Sequence, residues 1–193
     1  IEDGVVVVVA AGNCGPGCPS SNCQGFVGIE TPGDAPNAIT VGAVDDFSIH
    51  ACFSSGEIIN NEIKPDVVAP GVDIASSYLN NTLVEASGTS MATPHVAGVA
   101  ALLLQSNPDL TPTEIKLLLE QTATDFGDPG KDVKYGSGLL NAANLLPSSV
   151  LTLLKYHLAQ GSNVIQQNQS QSILITAVSN DITTIGAEVT EPN

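Results

Sequence analysis

The chain has 193 residues, 42% of them hydrophobic, which suits one globular domain plus a short extension. It contains no apolar run of about twenty residues, so a helical membrane span is excluded. Twenty acidic residues against five lysines and no arginine give a formal net charge of −15. That balance disfavours nucleic acid and anionic lipid as partners and reads as a solvated acidic surface.

No signal peptide opens the sequence, and Ile1 stands almost directly before an apolar strand. So abrupt a start leads us to expect a preceding segment, removed or running as a separate chain. Five valines and an alanine, Val5 to Ala10, predict a strand buried on both faces, as in a parallel sheet covered by helices. Ala38 to Val44 predicts a second buried strand, and Ala51 to Ser55 and Asp66 to Ala69 predict shorter ones, with Pro65 and Pro70 as punctuation. Ser90 to Gln105 is apolar nearly all round, predicting an interior helix that stops at Asn107-Pro108. Thr111-Pro112-Thr113-Glu114 carries a capping threonine, a proline at the first helical position and a glutamate at the third, the start of another helix. Tyr135 to Leu146 predicts a turn and a terminal helix. Beyond Pro147 the composition shifts to Gln, Asn and Ser, and Ser172 to Val178 alternates like a strand. We therefore divide the chain into a domain over 1–147 and, over 148–193, an extension or the start of a β-rich domain.

Cys14, Cys18, Cys23 and Cys52 are even in number, and three share one Gly/Pro/Ser-rich loop. Disulfides formed in an oxidising compartment are the favoured reading, with three possible pairings. A metal site and free thiols are the rivals; the loop holds no histidine.

Two segments carry chemistry. Ser90 opens the apolar helix, where the dipole and free backbone N–H groups would face a reacting centre. Gly88 is expected to permit the tight turn before it, and Ala92 to leave room around the hydroxyl. Alone, this is also the pattern of an ordinary capping serine. Asn13 ends the valine strand, at the strand end where ligands of open α/β folds bind, and its amide could donate to an oxyanion. A turn asparagine is the plainer reading.

The blocks VVVVVAAGN, APNAITVGAV, FSSG, KPDVVAPG, SGTSMATPHVAGVAALLLQ and YGSGLLNAANLL, running from Val5 to Leu146, together resemble the subtilase family of serine proteases. The resemblance implies an α/β fold, a subtilisin-like parallel sheet flanked by helices and incomplete on its N-terminal side. It makes Ser90 the counterpart of the family's nucleophile. Asn13 becomes the side-chain donor of the oxyanion hole, with the Ser90 N–H as the second donor. Val9, Ala10, Ala11 and Gly12 match the strand that walls the pocket for the substrate residue before the scissile bond. The family's catalytic aspartate and histidine precede the serine and would lie upstream of Ile1. His95 lies on the serine helix and is expected to be structural, as is Asp66; His50 and His157 are not credible bases either. The implied activity is endopeptidase action through an acyl-enzyme on peptide or protein substrates, with a complementary N-terminal half as partner. This chain alone is then inactive, and the setting is extracellular or at the cell surface. No cofactor is required; Ca2+ enters only as a structural ion of the family, without assignable ligands. The alternative is a non-catalytic subtilase-fold module, structural or binding, in a larger assembly.

Overall fold

Apolar β-branched runs form the middle of a sheet, and the small-residue helix lies across it. The computed structural model describes residues 4–18 and 20–145. Strands β1 (Val8–Ala10), β2 (Ile39–Val44) and β5 (Val67–Pro70) form a parallel sheet in the order β1-β2-β5. Val8 pairs with Ile39, and Val41 pairs with Val67. Every residue of β2 is buried, as expected of a central parallel strand.

Strand β1 differs from expectation. It is shorter than the valine run; Val5 is 58% exposed, and Val8 to Ala10 are only half-buried. The reason is its place at the sheet edge: among the described residues one of its flanks has no partner strand.

Helix α1 (Thr89–Ser106) packs on all three strands. Ala92, Val96, Val99, Ala100 and Leu103 meet Val41, Ala43, Val67 and Ala69 in one core. Its other face, at Ser90, Pro94 and Ala97, is exposed, so the helix is not interior all round. Helix α2 (Pro112–Thr122) begins with the capping box read from the sequence: Thr111 accepts from the Glu114 N–H, and Glu114 accepts from the Thr111 N–H at 2.8 Å. Ile115 and Leu119 bring it into the core. A short α3 (Ala142–Leu145) follows; Leu146 and residues 148–193, including the expected strand over Ser172 to Val178, lie outside the described residues.

Three further differences have physical causes. Ala51 to Ser55 is not a strand. It bends, and its serines act instead as buried acceptors: Ser54 Oγ for the Ala43 N–H at 3.0 Å, Ser55 Oγ for the Cys14 N–H at 2.9 Å. Two antiparallel hairpins were not read from the sequence, β3 (Glu57–Ile59) with β4 (Glu62–Lys64) and β6 (Ile74–Tyr78) with β7 (Thr82–Ala86). Each turns on an Asn-Asn pair, Asn60-Asn61 and Asn80-Asn81, all four with positive φ. Asparagine tolerates that conformation better than other residues bearing a side chain.

Asp66 anchors the molecule from within. Its side chain is 1% exposed and meets Lys64 at 2.8 Å, Lys131 at 3.0 Å and Lys116 at 3.2 Å, besides accepting from the Thr40 N–H at 2.8 Å. Lys116 belongs to α2, and Lys131 also pairs with Glu120 at 2.8 Å. Burial alone would raise the Asp66 carboxyl; Lys131, Lys64, the Thr40 N–H and Lys116 outweigh it and hold the group below the usual carboxylate value. Asp66 is thus structural, as expected.

Candidate active site

Strand β7 runs into Ser87, Gly88 and the start of α1, and this loop is tied down on both sides. The Gly88 N–H donates to Gly71 O at 2.7 Å, and Ser87 Oγ donates to Asp73 at 3.0 Å. Gly88 itself is extended rather than tightly turned, and a Cβ there would meet only ordinary contacts from 3.5 Å outward. The close approach falls at Gly71, whose Cβ would stand 2.7 Å from that of Ala43 and 3.2 Å from that of Ala92. The small side chain of Ala92 thus admits the Gly71 backbone.

In the first turn of α1 each N–H has a definite fate. The Thr89 N–H donates to Asn13 Oδ1 at 2.9 Å, and the Met91 and Ala92 N–H groups reach Gly88 O. The Ser90 N–H has no protein acceptor among the described residues, and the Ser90 side chain is exposed. A free donor at the positive end of a helix can accept a developing negative charge as a partner.

Asn13 lies beside it. Its Oδ1 accepts from both the N–H and the hydroxyl of Thr89, at 2.9 and 3.1 Å, which fixes the sense of the amide. Its Nδ2 is left without an acceptor among the described residues, 3.5 Å from where a Gly88 Cβ would stand. The Thr89 hydroxyl also accepts from the Gly12 N–H at 3.2 Å. Thr89 thus joins the end of β1 to the start of α1 across 76 and 77 residues of sequence. No sequence signal marked it beyond its place next to Ser90.

The pocket-wall candidates lead up to this point. Val9 and Ala10 are half-buried in β1. Ala11 is fully buried and continues the ladder, its N–H donating to Val41 O at 2.9 Å. Gly12 has φ +105°, a conformation that favours glycine, and a Cβ there would lie 2.5 Å from Glu30 Oε2. Glu30 was not singled out in the sequence; it accepts from the Asn13 N–H at 2.8 Å.

The cysteines form two disulfides, Cys14–Cys23 and Cys18–Cys52, and no free thiol remains. The first closes the loop that follows Asn13; the second pins that loop to the bend after β2. The metal and free-thiol readings of this loop are thereby replaced.

The histidines stand apart. His95 is 4% exposed, and its Nδ1–H donates to Met91 O at 3.0 Å, so it braces α1 from within. Burial holds it below the usual imidazole value, against the raising contacts with Met91 and Ala92. His50 packs edge-on against Tyr135. Burial, then Lys134, lowers it, with Asp132 opposing. Two clefts flank His50, one lined by Pro16, Cys52 and Val133 and the other by Ile49, Asp132 and Tyr135, and neither includes Ser90 or Asn13. His157 lies outside the described residues. Among the described residues no three His, Cys, Asp or Glu side chains converge where a metal ion could be held. None of their helices is long and apolar enough to cross a membrane.

Comparison with known proteins gives this geometry a context. The model of the subtilase family matches residues 1–138. The chain is 41% identical over 166 residues to the serine protease AprX of Bacillus subtilis (strain 168), covering 75% of this chain and 36% of that protein. It is 44% identical over 138 residues to subtilisin DY of Bacillus licheniformis, covering 72% of this chain and 45% of that one. To the M-protease of Shouchella clausii (strain KSM-K16) it is 44% identical over 139 residues, covering 72% of this chain and 32% of that one. The chain thus spans less than half the length of these relatives.

Proposed function

This chain belongs to the subtilase family, and on that premise we propose that it supplies the nucleophile and the oxyanion hole of a serine endopeptidase. The observation that carries the reading is the pair of free donors, Asn13 Nδ2 and the Ser90 N–H, beside an exposed Ser90 hydroxyl. A serine is a weak nucleophile until a base takes its proton. The described residues offer none: His95 is buried on the wrong side of α1, and His50 lies among Tyr135 and Lys134. The base and its orienting aspartate come, in this reading, from a complementary segment upstream. The open flank of β1 and the exposed Ser90–Pro94–Ala97 face of α1 are the surfaces that segment covers.

The chemistry then runs in two halves. The upstream histidine takes the Ser90 Oγ proton as that oxygen attacks a peptide carbonyl carbon. The carbonyl oxygen becomes an oxyanion, held by Asn13 Nδ2–H and the Ser90 N–H. Collapse breaks the C–N bond, the histidine returns its proton to the leaving amine, and an ester remains on Ser90. Water, deprotonated by the same histidine, hydrolyses that ester and restores the hydroxyl. Substrates are peptides or proteins, and the two disulfides suit an extracellular or cell-surface setting.

The test is hydrolysis of a fluorogenic peptide by the intact protein and by Ser90→Ala. Turnover lost in the variant, with folding unchanged by circular dichroism, supports the reading. Equal turnover in both, or none in the intact protein, overturns it and leaves the non-catalytic module as the better account.

A further inference from the structure

The β3–β4 and β6–β7 hairpins both turn on an Asn-Asn pair, and positive φ at each asparagine accounts for the residue type there. It does not account for what surrounds the second pair. Asn60-Asn61 is followed by Glu62, whereas Asn80-Asn81 is followed by Thr82. Asn80-Asn81-Thr82 is an asparagine with a hydroxyl-bearing residue two positions on and no proline between, the pattern of an N-glycosylation acceptor. The same pattern at Asn168-Gln169-Ser170 lies outside the described residues.

The fold presents the first of these patterns as an acceptor must be presented. Asn80, Asn81 and Thr82 are all exposed, at the tip of the β6–β7 ribbon. Tyr78 pairs with Thr82 and Ile74 with Ala86, so at about 3.4 Å per residue the tip lies roughly 14 Å out from the strand end that leads to Ser90. Thr82 Oγ1 donates to Leu79 O at 2.8 Å, an exposed bond that water or another polar group replaces at little cost.

The tip also exposes large apolar side chains. Tyr78 is 61% exposed and Leu83 72%. Tyr78 and Thr82 are directly opposed across the ribbon and share one face, as does Val84 by alternation. The aromatic ring therefore stands beside the acceptor turn, on the face that carries the threonine. A sugar ring packs its C–H face on the negative face of an aromatic ring, and its hydroxyls then cover the apolar tip from water.

We propose that Asn80 is a modification site, the acceptor of an N-linked oligosaccharide whose first sugar packs on Tyr78. The donor class is an oligosaccharide carried on a lipid phosphate, used by a membrane-bound oligosaccharyltransferase during export. Asn80 Nδ2 attacks C1 of the first sugar and gives up one proton to a transferase base. The C1–O bond to the phosphate breaks as the N–C1 bond forms, and the lipid phosphate leaves with the electron pair of the broken bond. The inference rests on the extracellular setting proposed above and not on the chemistry of Ser90.

The experiment is mass spectrometry of the peptide spanning Asn80 from the intact protein recovered from its own source. Thr82→Val, Thr82→Ser and Tyr78→Ala variants made in the same cells are measured beside it. Valine keeps the β-branched shape and strand preference of threonine and removes the hydroxyl. The expected result is an oligosaccharide mass on Asn80 in the natural protein and in Thr82→Ser, with complete loss in Thr82→Val. The glycosylated protein should also melt at a higher temperature than the same protein after enzymatic removal of the sugar, and that difference should vanish in Tyr78→Ala. Bare Asn80 in exported protein, or sugar that persists in Thr82→Val, overturns the inference while the peptidase reading stands. Glycosylated and deglycosylated forms that melt alike overturn the packing on Tyr78. Recovery of the protein from the cytosol alone overturns the extracellular setting and the inference together.

Discussion

Replacing Asp66 by asparagine tests the internal anchor of the fold. The asparagine keeps the shape and can still accept from the Thr40 N–H, so the change is mainly the loss of one negative charge. Three ammonium groups then lose their partner, but unequally. The Lys131 side chain is 29% exposed and keeps Glu120 at 2.8 Å; that of Lys116 is 16% exposed and can extend to water. Lys64 is 1% exposed and retains only Ala38 O at 3.1 Å. The cost therefore falls on Lys64, and breaking one side of a buried pair costs about 3–5 kcal/mol. That is a large share of a stability of about 5–15 kcal/mol. Urea unfolding of the intact protein, in a Ser90→Ala background, should show a lower midpoint at unchanged slope. Adding Lys64→Met should recover about 2 kcal/mol, since an apolar side chain removes the stranded charge. A loss below about 1 kcal/mol in Asp66→Asn, the range of exposed pairs, would mean that Asp66 does not anchor the fold.

Asn13→Ala should lower kcat by about 100- to 1000-fold with little change in KM, a magnitude measured on a subtilisin rather than worked from this chain's geometry. Thr89→Val removes the hydroxyl that orients Asn13 and receives the Gly12 N–H; steady-state kinetics should show kcat reduced roughly tenfold, with the midpoint of unfolding lowered by about 1 kcal/mol. Removing the disulfide between Cys18 and Cys52, whose sequence separation is 34, should cost roughly 4 kcal/mol by chain entropy, and removing Cys14–Cys23, at separation 9, roughly 2.6, both read by calorimetry. His50 and His95 are both held below the ordinary value of 6.5, so the unfolded state binds protons first as pH falls. Their contribution is complete above about 6.5 and declines below it, and His95→Asn should flatten the fall in melting temperature below about pH 6.5. Asp66, also depressed, contributes fully above its ordinary 3.8 and loses its share only as pH drops through its lower folded value.

The sequence made the central elements legible where one physical signal dominated. The apolar run Ala38 to Val44 became the fully buried β2, and Thr111-Pro112 with Glu114 became a formed capping box. The valine run was misjudged because periodicity reports apolar faces, not how many neighbours a strand has; among the described residues β1 lacks a neighbour on one flank and is half-buried. Ala51 to Ser55 looked like a strand because two buried serines carry no local mark of the long-range bonds they make to Cys14 and Ala43. The hairpins were missed through the turn chemistry of Asn60-Asn61 and Asn80-Asn81, which was present in the sequence. At the candidate site Ser90 and Asn13 were legible. Thr89 and Glu30 were not, because their contacts span 76 and 17 residues.

Labelling of the intact protein with a fluorophosphonate, followed by peptide mapping, reads the reactivity of Ser90 itself. The reagent modifies a serine only where a working base and an oxyanion hole surround it. A single adduct on Ser90, lost in Asn13→Ala at short labelling times, is the expected result. An unmodified Ser90, while a serine protease in the same tube reacts, would contradict it.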